Sequence, residues 1–240
     1  MCCKMTRMPE IIPEVHTFTT PLDCRYLLHV PDLGTDSGVA EVVVVALHGY
    51  GMTPESMLRL TVGLVGQRFA VAALQAPFQH YQALRGTNST AAYNWGIRDH
   101  WASGVRLHHA MVQQTLASLR ARFGVDASRC LLAGFSQPVG LNYRFVGTHP
   151  DEVGGVLGLC GGVPRDWEES KYQPVTVPIL HISRDQDEFY PNEQVSEFPR
   201  RLGVHANDVE FHLIPGQHRF PSKGAAIVRP WMARKFGLKI

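Results

Sequence analysis

Two hydrophobic periods alternate along this chain. The longest unbroken apolar run, Val42 to Leu47, is rich in β-branched residues and has the pattern of a central strand covered on both faces. Residues 69–77, 129–135, 153–159, 176–183 and 208–213 read as further strands. Between them the period lengthens. Val105, Leu107, Met111, Val112, Leu116 and Leu119 share one face of a helix over 103–123, closed by Gly124. Thr53, Pro54 and Glu55 supply a cap, a first-turn proline and an acidic first turn, which predicts a helix running to about Phe69. Helices are also expected at 139–147, 192–202 and 222–236. Near the start, VHTFTT (15–20) and CRYLLHV (24–30) read as two short strands around Pro21, followed by a turn-rich connector at 31–38.

Strand and helix in alternation imply an α/β fold, a mostly parallel central sheet with helices on both faces. No repeat, low-complexity tract or Gly/Ser-rich linker divides the chain. Residues 15–240 are therefore expected to form one domain, preceded by a flexible tail at 1–14. One segment breaks the pattern: 78–101 is long, polar and studded with Phe78, Tyr81, Tyr93, Trp95 and Trp101. Loops longer than about 12–15 residues are usually functional or disordered, so it is expected to wall a pocket. The plainer alternative is that its aromatics pin the loop to the surface.

Composition narrows the function classes. The 240 residues carry a net charge of +2 with no basic run, which gives no footing for nucleic acid. The longest apolar run falls far short of the roughly 20 residues a membrane helix needs, and the N-terminus lacks the apolar core of a secretory signal. Five cysteines at irregular spacing do not form a disulfide framework, and reduced thiols in a cytoplasmic protein are the simpler account. Twelve histidines show no metal-ligand spacing with cysteine, so no metal site is expected. A small-molecule substrate is the expected partner, and a homodimer is compatible with everything above.

The chemistry concentrates in LLAGFSQPVG (131–140). A buried strand runs into a tight turn at Gly134-Phe135-Ser136-Gln137, close to the G-x-S-x-G elbow that lifts a nucleophilic serine above a sheet. A serine capping an ordinary helix is the competing reading. Acyl transfer also needs a base, an acid that orients it, and donors for the oxyanion. His218, in LIPGQHRF, follows an apolar strand and a Pro-Gly turn and is the base candidate. Asp185 and Asp187, beyond the strand in PILHISRDQDEFYP (178–191), are the acid candidates. The N–H groups of Tyr50, in LHGYGMT (47–53), and of Gln137 are the donor candidates, with Gly49 and Gly51 permitting close approach of substrate. His48, Gly49, Gly51, Trp95 and Pro138 are the candidate pocket residues.

LHGYG, GFSQ, PILHISRDQDEFYP and PGQH, in this order, resemble the phospholipase/carboxylesterase family of α/β-hydrolases, which includes the acyl-protein thioesterases. The resemblance spans about Val42 to His218. It implies an α/β-hydrolase fold without a large cap, and a cofactor-free serine hydrolase of carboxylic esters or thioesters with short-to-medium acyl groups. The family places its acid four residues before the last proline of the third segment. That position is Asp187 here, with Asp185 the runner-up. Two departures stand out: Pro138 replaces a glycine, and SRDQD lacks a His-Gly pair. Proline suits the first turn of a helix and the needed donor belongs to Gln137, so hydrolysis is expected to survive. A ligand-binding protein that has lost turnover, or a lactonase or peptidase built on the same three residues, are the rival readings.

Overall fold

The computed structural model describes residues 12–31, 41–82, 89–96 and 101–238. Seven strands form one sheet: β1 (Tyr26–His29), β2 (Val43–Leu47), β3 (Ala70–Leu74), β6 (Cys130–Phe135), β7 (Gly155–Leu159), β8 (Ile179–Arg184) and β9 (Val209–Ile214). Their spatial order is β1-β3-β2-β6-β7-β8-β9. Only β1 runs antiparallel to its neighbour, β3; every other pairing is parallel.

The period-two alternation of the strands decides which helix covers which face. Val43, Val45 and Leu47 of β2 point to one side, with Leu132 and Val156. There they meet α2 (Trp101–Phe123) and α3 (Val139–Thr148) through Met111, Leu116, Leu119, Leu141 and Phe145. Val42, Val44 and Ala46 point to the other side, with Leu131 and Leu157. They pack on α1 (Pro54–Val65) and α6 (Ala225–Phe236) through Met57, Leu64, Trp231 and Phe236.

The start of α1 is set by a capping box: the Ser56 amide donates to the Thr53 hydroxyl at 3.3 Å, and the Thr53 amide to the Ser56 hydroxyl at 3.4 Å. The helix stops at Val65, short of Phe69, because Gly66 turns the chain at φ 117°. The helix expected over 192–202 is two pieces, α4 (Asn192–Val195) and α5 (Phe198–Leu202). Pro199 explains the break, since its ring cannot sit against the carbonyl four residues earlier.

Two expectations need correction. Residues 15–20 form no strand, and Val15 and Phe18 are exposed. Nor is 78–101 one long loop. It contains an antiparallel hairpin of β4 (Phe78–Gln82) and β5 (Thr90–Asn94), in which Phe78 faces Asn94 and Gln82 faces Thr90. The polar composition of β4 hid the strand: two of its five residues are half-buried and three exposed, as suits a two-stranded ribbon lying outside the main sheet. The connector at 31–38 and the tail at 1–14 fall mostly outside the described residues.

Candidate active site

Parallel register fixes where the functional segments leave the sheet. Leu47 of β2 pairs with Gly134 of β6, so Tyr50 and Gln137, each three residues further on, leave adjacent strands at the same level. Arg184 of β8 pairs with Ile214 of β9, and the segments carrying Asp187 and His218 follow from that same end. All four segments therefore emerge at the carboxyl edge, where open α/β sheets bind ligands.

Ser136 sits on this edge with φ at +62°, a left-handed conformation that a non-glycine residue adopts only when its surroundings enforce it. The surroundings do so here. Its amide donates to the Leu159 carbonyl at 2.8 Å, and its carbonyl accepts from the Val139 amide at 3.1 Å. The turn is tight enough to exclude side chains nearby. A Cβ on Gly134 would lie 2.7 Å from the side-chain nitrogen (Nδ2) of Asn142, and one on Gly161 would lie 2.6 Å from the Ser136 carbonyl and overlap Val139. Pro138 is accommodated immediately before α3, at φ −76° and ψ −8°, where its carbonyl accepts from the Asn142 amide at 2.8 Å. Gly140 lets α3 approach the 161–162 segment, since a Cβ there would stand 3.2 Å from the Gly162 carbonyl.

The Ser136 hydroxyl lies 2.8 Å from Nε2 of His218, and Nδ1 of His218 lies 2.7 Å from Oδ2 of Asp187. A carboxylate only accepts, so Nδ1 carries the proton and Nε2 is left to accept from the serine hydroxyl. The other Asp187 oxygen accepts from the amides of Phe189 at 2.9 Å and Tyr190 at 3.0 Å. The Asp187 side chain is 1% exposed and that of His218 11%, so the bond between them is shielded from water. Three rings enclose the imidazole: Phe135 stacked at 5.4 Å, Phe189 edge-on at 4.8 Å and Tyr190 tilted at 5.9 Å.

Asp185 lies elsewhere. Its carboxylate accepts from the Gly216 amide at 2.8 Å, which ties the β8 loop to the turn that carries His218. It shapes the loop, while the ring of His218 bonds to Asp187. The Glu188 carboxylate accepts from the His218 amide at 3.1 Å.

The amides of Tyr50 and Gln137 have no acceptor among the described residues. Both leave the carboxyl edge beside the serine turn and are free to donate to an oxygen placed there. Gly49, which precedes Tyr50, packs on Phe135 so closely that a Cβ would stand 3.0 Å from its ring. The Gly51 amide donates to the Tyr93 carbonyl at 3.0 Å.

His48 and Trp95 were expected to wall the pocket. Both are fully buried and lie behind the donor loop, not on open space. Burial lowers the His48 pKa and keeps the ring neutral. No sequence signal pointed to the Gln137 side chain, which donates to the Gly96 carbonyl at 3.1 Å and accepts from the Trp95 amide at 2.9 Å. That contact is invisible until the hairpin is known. Among the described residues no cluster of His, Cys, Asp or Glu could hold a metal ion.

A hydroxyl bonded to an imidazole, itself bonded to a buried carboxylate, beside paired free amides, is an arrangement suited to acyl transfer. Comparison with known families agrees with this chemistry: the model of the phospholipase/carboxylesterase family matches residues 35–233. The chain belongs to this family. It is an ester-bond hydrolase of the carboxylesterase and phospholipase type. No curated protein matches it. Among solved structures it resembles esterase PE8, at 21% identity and a TM-score of 0.69, covering 89% of this chain and 99% of that one. A carboxylesterase from Mesorhizobium loti is 20% identical with a TM-score of 0.68, covering 90% and 98%. The Bacillus cereus carboxylesterase is 14% identical with a TM-score of 0.67, covering 88% and 94%. At these identities the likeness establishes the α/β-hydrolase fold. No helix among the described residues is long and apolar enough to cross a membrane.

Proposed function

We propose that this family member hydrolyses carboxylic esters, and thioesters by the same route, through an acyl-enzyme on Ser136. The single observation that carries the reading is the unbroken chain of hydrogen bonds from Ser136 through His218 to Asp187. Ser136 Oγ attacks the acyl carbonyl while His218 Nε2 takes its proton. The tetrahedral oxyanion is held by the Tyr50 and Gln137 amides. His218 then gives the proton to the departing alkoxide or thiolate, leaving acyl-Ser136. Water attacks the acyl carbon, again losing a proton to His218, and the acid departs as the serine hydroxyl is restored. Asp187 keeps His218 in the Nδ1-protonated tautomer and stabilises the imidazolium.

Short-to-medium acyl groups are the proposed substrates. Exposed aromatic rings lie near the triad, Phe189 edge-on to His218 and Tyr50 stacked on His80 of the hairpin, and no inserted cap is present among the described residues. Among the described residues Cys24, Cys130 and Cys160 are free thiols, which supports a reducing, cytoplasmic setting.

The test joins a fluorophosphonate probe with a panel of p-nitrophenyl esters of rising chain length and one acyl-thioester. The wild-type protein should label on Ser136 and turn over the short esters, and Ser136→Ala should lose about 10⁶-fold in kcat. An unlabelled wild-type protein that binds esters without cleaving them would replace this reading with that of a ligand-binding protein.

A further inference from the structure

The Tyr50 amide belongs to the same peptide unit as the Gly49 carbonyl. A trans peptide is planar, so this N–H and this C=O point in opposite directions. Whatever holds the Gly49 oxygen inward therefore aims the Tyr50 N–H outward, toward the serine side of the loop. Two groups hold it: Nδ1 of His48 at 2.8 Å and the Met52 amide at 3.2 Å.

The His48 ring has no freedom in this role. The Ala76 amide, just past β3, donates to His48 Nε2 at 3.1 Å. Since Nε2 must accept, Nδ1 carries the proton and donates to Gly49. The backbone of His48 is fixed as well, because its carbonyl accepts from the Trp95 indole N–H at 2.8 Å. The backbone that carries the indole is fixed in turn by Gln137, whose side chain accepts from the Trp95 amide at 2.9 Å and donates to the Gly96 carbonyl at 3.1 Å. Gln137 also carries the second free amide.

The geometry points to His48, Trp95 and Gln137 as one clamp that sets the spacing and direction of both oxyanion donors. His48 and Trp95 act as positioning residues that never touch substrate. The hairpin is the bridge, since it presents Trp95 to the donor loop on one side and to the nucleophile turn on the other. The inference rests on the proposed acyl-transfer reading for its kinetic consequence, but the bonding pattern of the clamp can be read without turnover.

Two variants and one spectrum test it. Trp95→Phe keeps most of the ring and removes only the indole N–H. It should lower kcat by about 10-fold and leave KM within about 3-fold, because a misaimed donor is felt chiefly in the transition state. His48→Ala should cost about 10²–10³-fold in kcat, the scale of losing one donor. A boronic acid, which forms a tetrahedral adduct on the serine, should lose affinity in both variants by the same factors, while affinity for the product acid stays level. In wild-type protein, ¹⁵N NMR of the His48 ring should show Nδ1 protonated and Nε2 bare. The clamp is overturned if both variants fold with wild-type kcat, if product and boronic acid affinities fall together, or if His48 is protonated on Nε2. Should the variants not fold, the tautomer alone decides. A wild-type protein that never cleaves esters, yet shows the Nδ1 tautomer, would sink the proposed reaction and leave the clamp standing.

Discussion

Lowering the pH from 7.5 to 5 should remove much of the stability of this fold, and two histidines far from the chemistry set the size of the loss. His108, on α2, and His181, on β8, are fully buried. His108 has its pKa pushed down from 6.5 to about 3, by burial first and then by the neighbouring His109. Burial alone takes His181 from 6.5 to about 3. The unfolded chain binds a proton at each site once the pH falls below 6.5, whereas the native protein refuses it until about pH 3. Across that window the unfolded state holds more protons, so stability falls as the pH falls. At pH 5 each site lies 1.5 units below its unfolded value, which at 1.36 kcal/mol per unit is about 2 kcal/mol, or about 4 kcal/mol for the pair. Domains are typically stable by only about 5–15 kcal/mol. His109, taken down to about 4 by burial and by His149 but partly exposed, and His48, lowered by burial, act in the same direction and add to the sum of these two. Asp166 does not confound the window. Burial opposes ionisation there, but hydrogen bonds from Lys171 and Arg144 outweigh it and hold the carboxyl at about 2, so its contribution is lost only between 3.8 and 2. Urea unfolding followed by far-UV circular dichroism at pH 7.5 and 5 measures the difference. His181→Gln should be less stable at neutral pH yet lose only about half as much on acidification, with His108→Gln as the parallel case. An unfolding free energy that is the same at both pH values in the wild type, or a slope untouched by either substitution, would refute the reasoning.

Other outcomes can be checked more quickly. Asp187→Asn should lower kcat by about 10⁴-fold by stabilising the wrong tautomer of His218, whereas Asp185→Asn should leave kcat within about 10-fold and reduce the melting temperature, since it weakens only the bond to Gly216. Steady-state kinetics and a thermal melt separate the two. Pro138→Gly should retain hydrolysis, because the donor belongs to Gln137; a gain of several orders of magnitude would show that the proline cripples the turn. Burial pushes the thiols of Cys130 and Cys160 up to about 11 and about 12. Iodoacetamide at pH 8 should therefore leave both unmodified in the native protein, as read by peptide mass mapping.

The sheet was legible because each strand carries its own signal. Val42 to Leu47 is apolar throughout, and a strand covered on both faces has that composition whatever its neighbours are. The positions of Ser136, Asp187 and His218 were legible for a related reason: each lies a few residues past such a strand, so finding the strand ends located the candidates. The choice of Asp187 over Asp185 was not available from periodicity and came from a family resemblance. The hairpin was illegible, since β4 buries no residue fully and shows no clean alternation. Misreading that element also misplaced Trp95 and His48, whose roles exist only where the hairpin meets the ends of β2 and β6. VHTFTT failed in the opposite way. It has the composition of a strand, but no neighbouring strand pairs with it, and propensity without a partner does not make one.

The pairing of Leu47 with Gly134 has a consequence for how such proteins diverge. The level at which the Tyr50 and Gln137 segments leave the sheet is counted along rigid, laterally bonded backbone, so only the loops that carry or clamp their amides, and not the rest of the rim, can disturb it. Deleting one residue inside β2 or β6 would shift one amide by about 3.3 Å against the other. A change of length within either strand would thus be felt at the rim of the sheet, away from the residue that was lost, whereas a longer loop elsewhere on that rim would not.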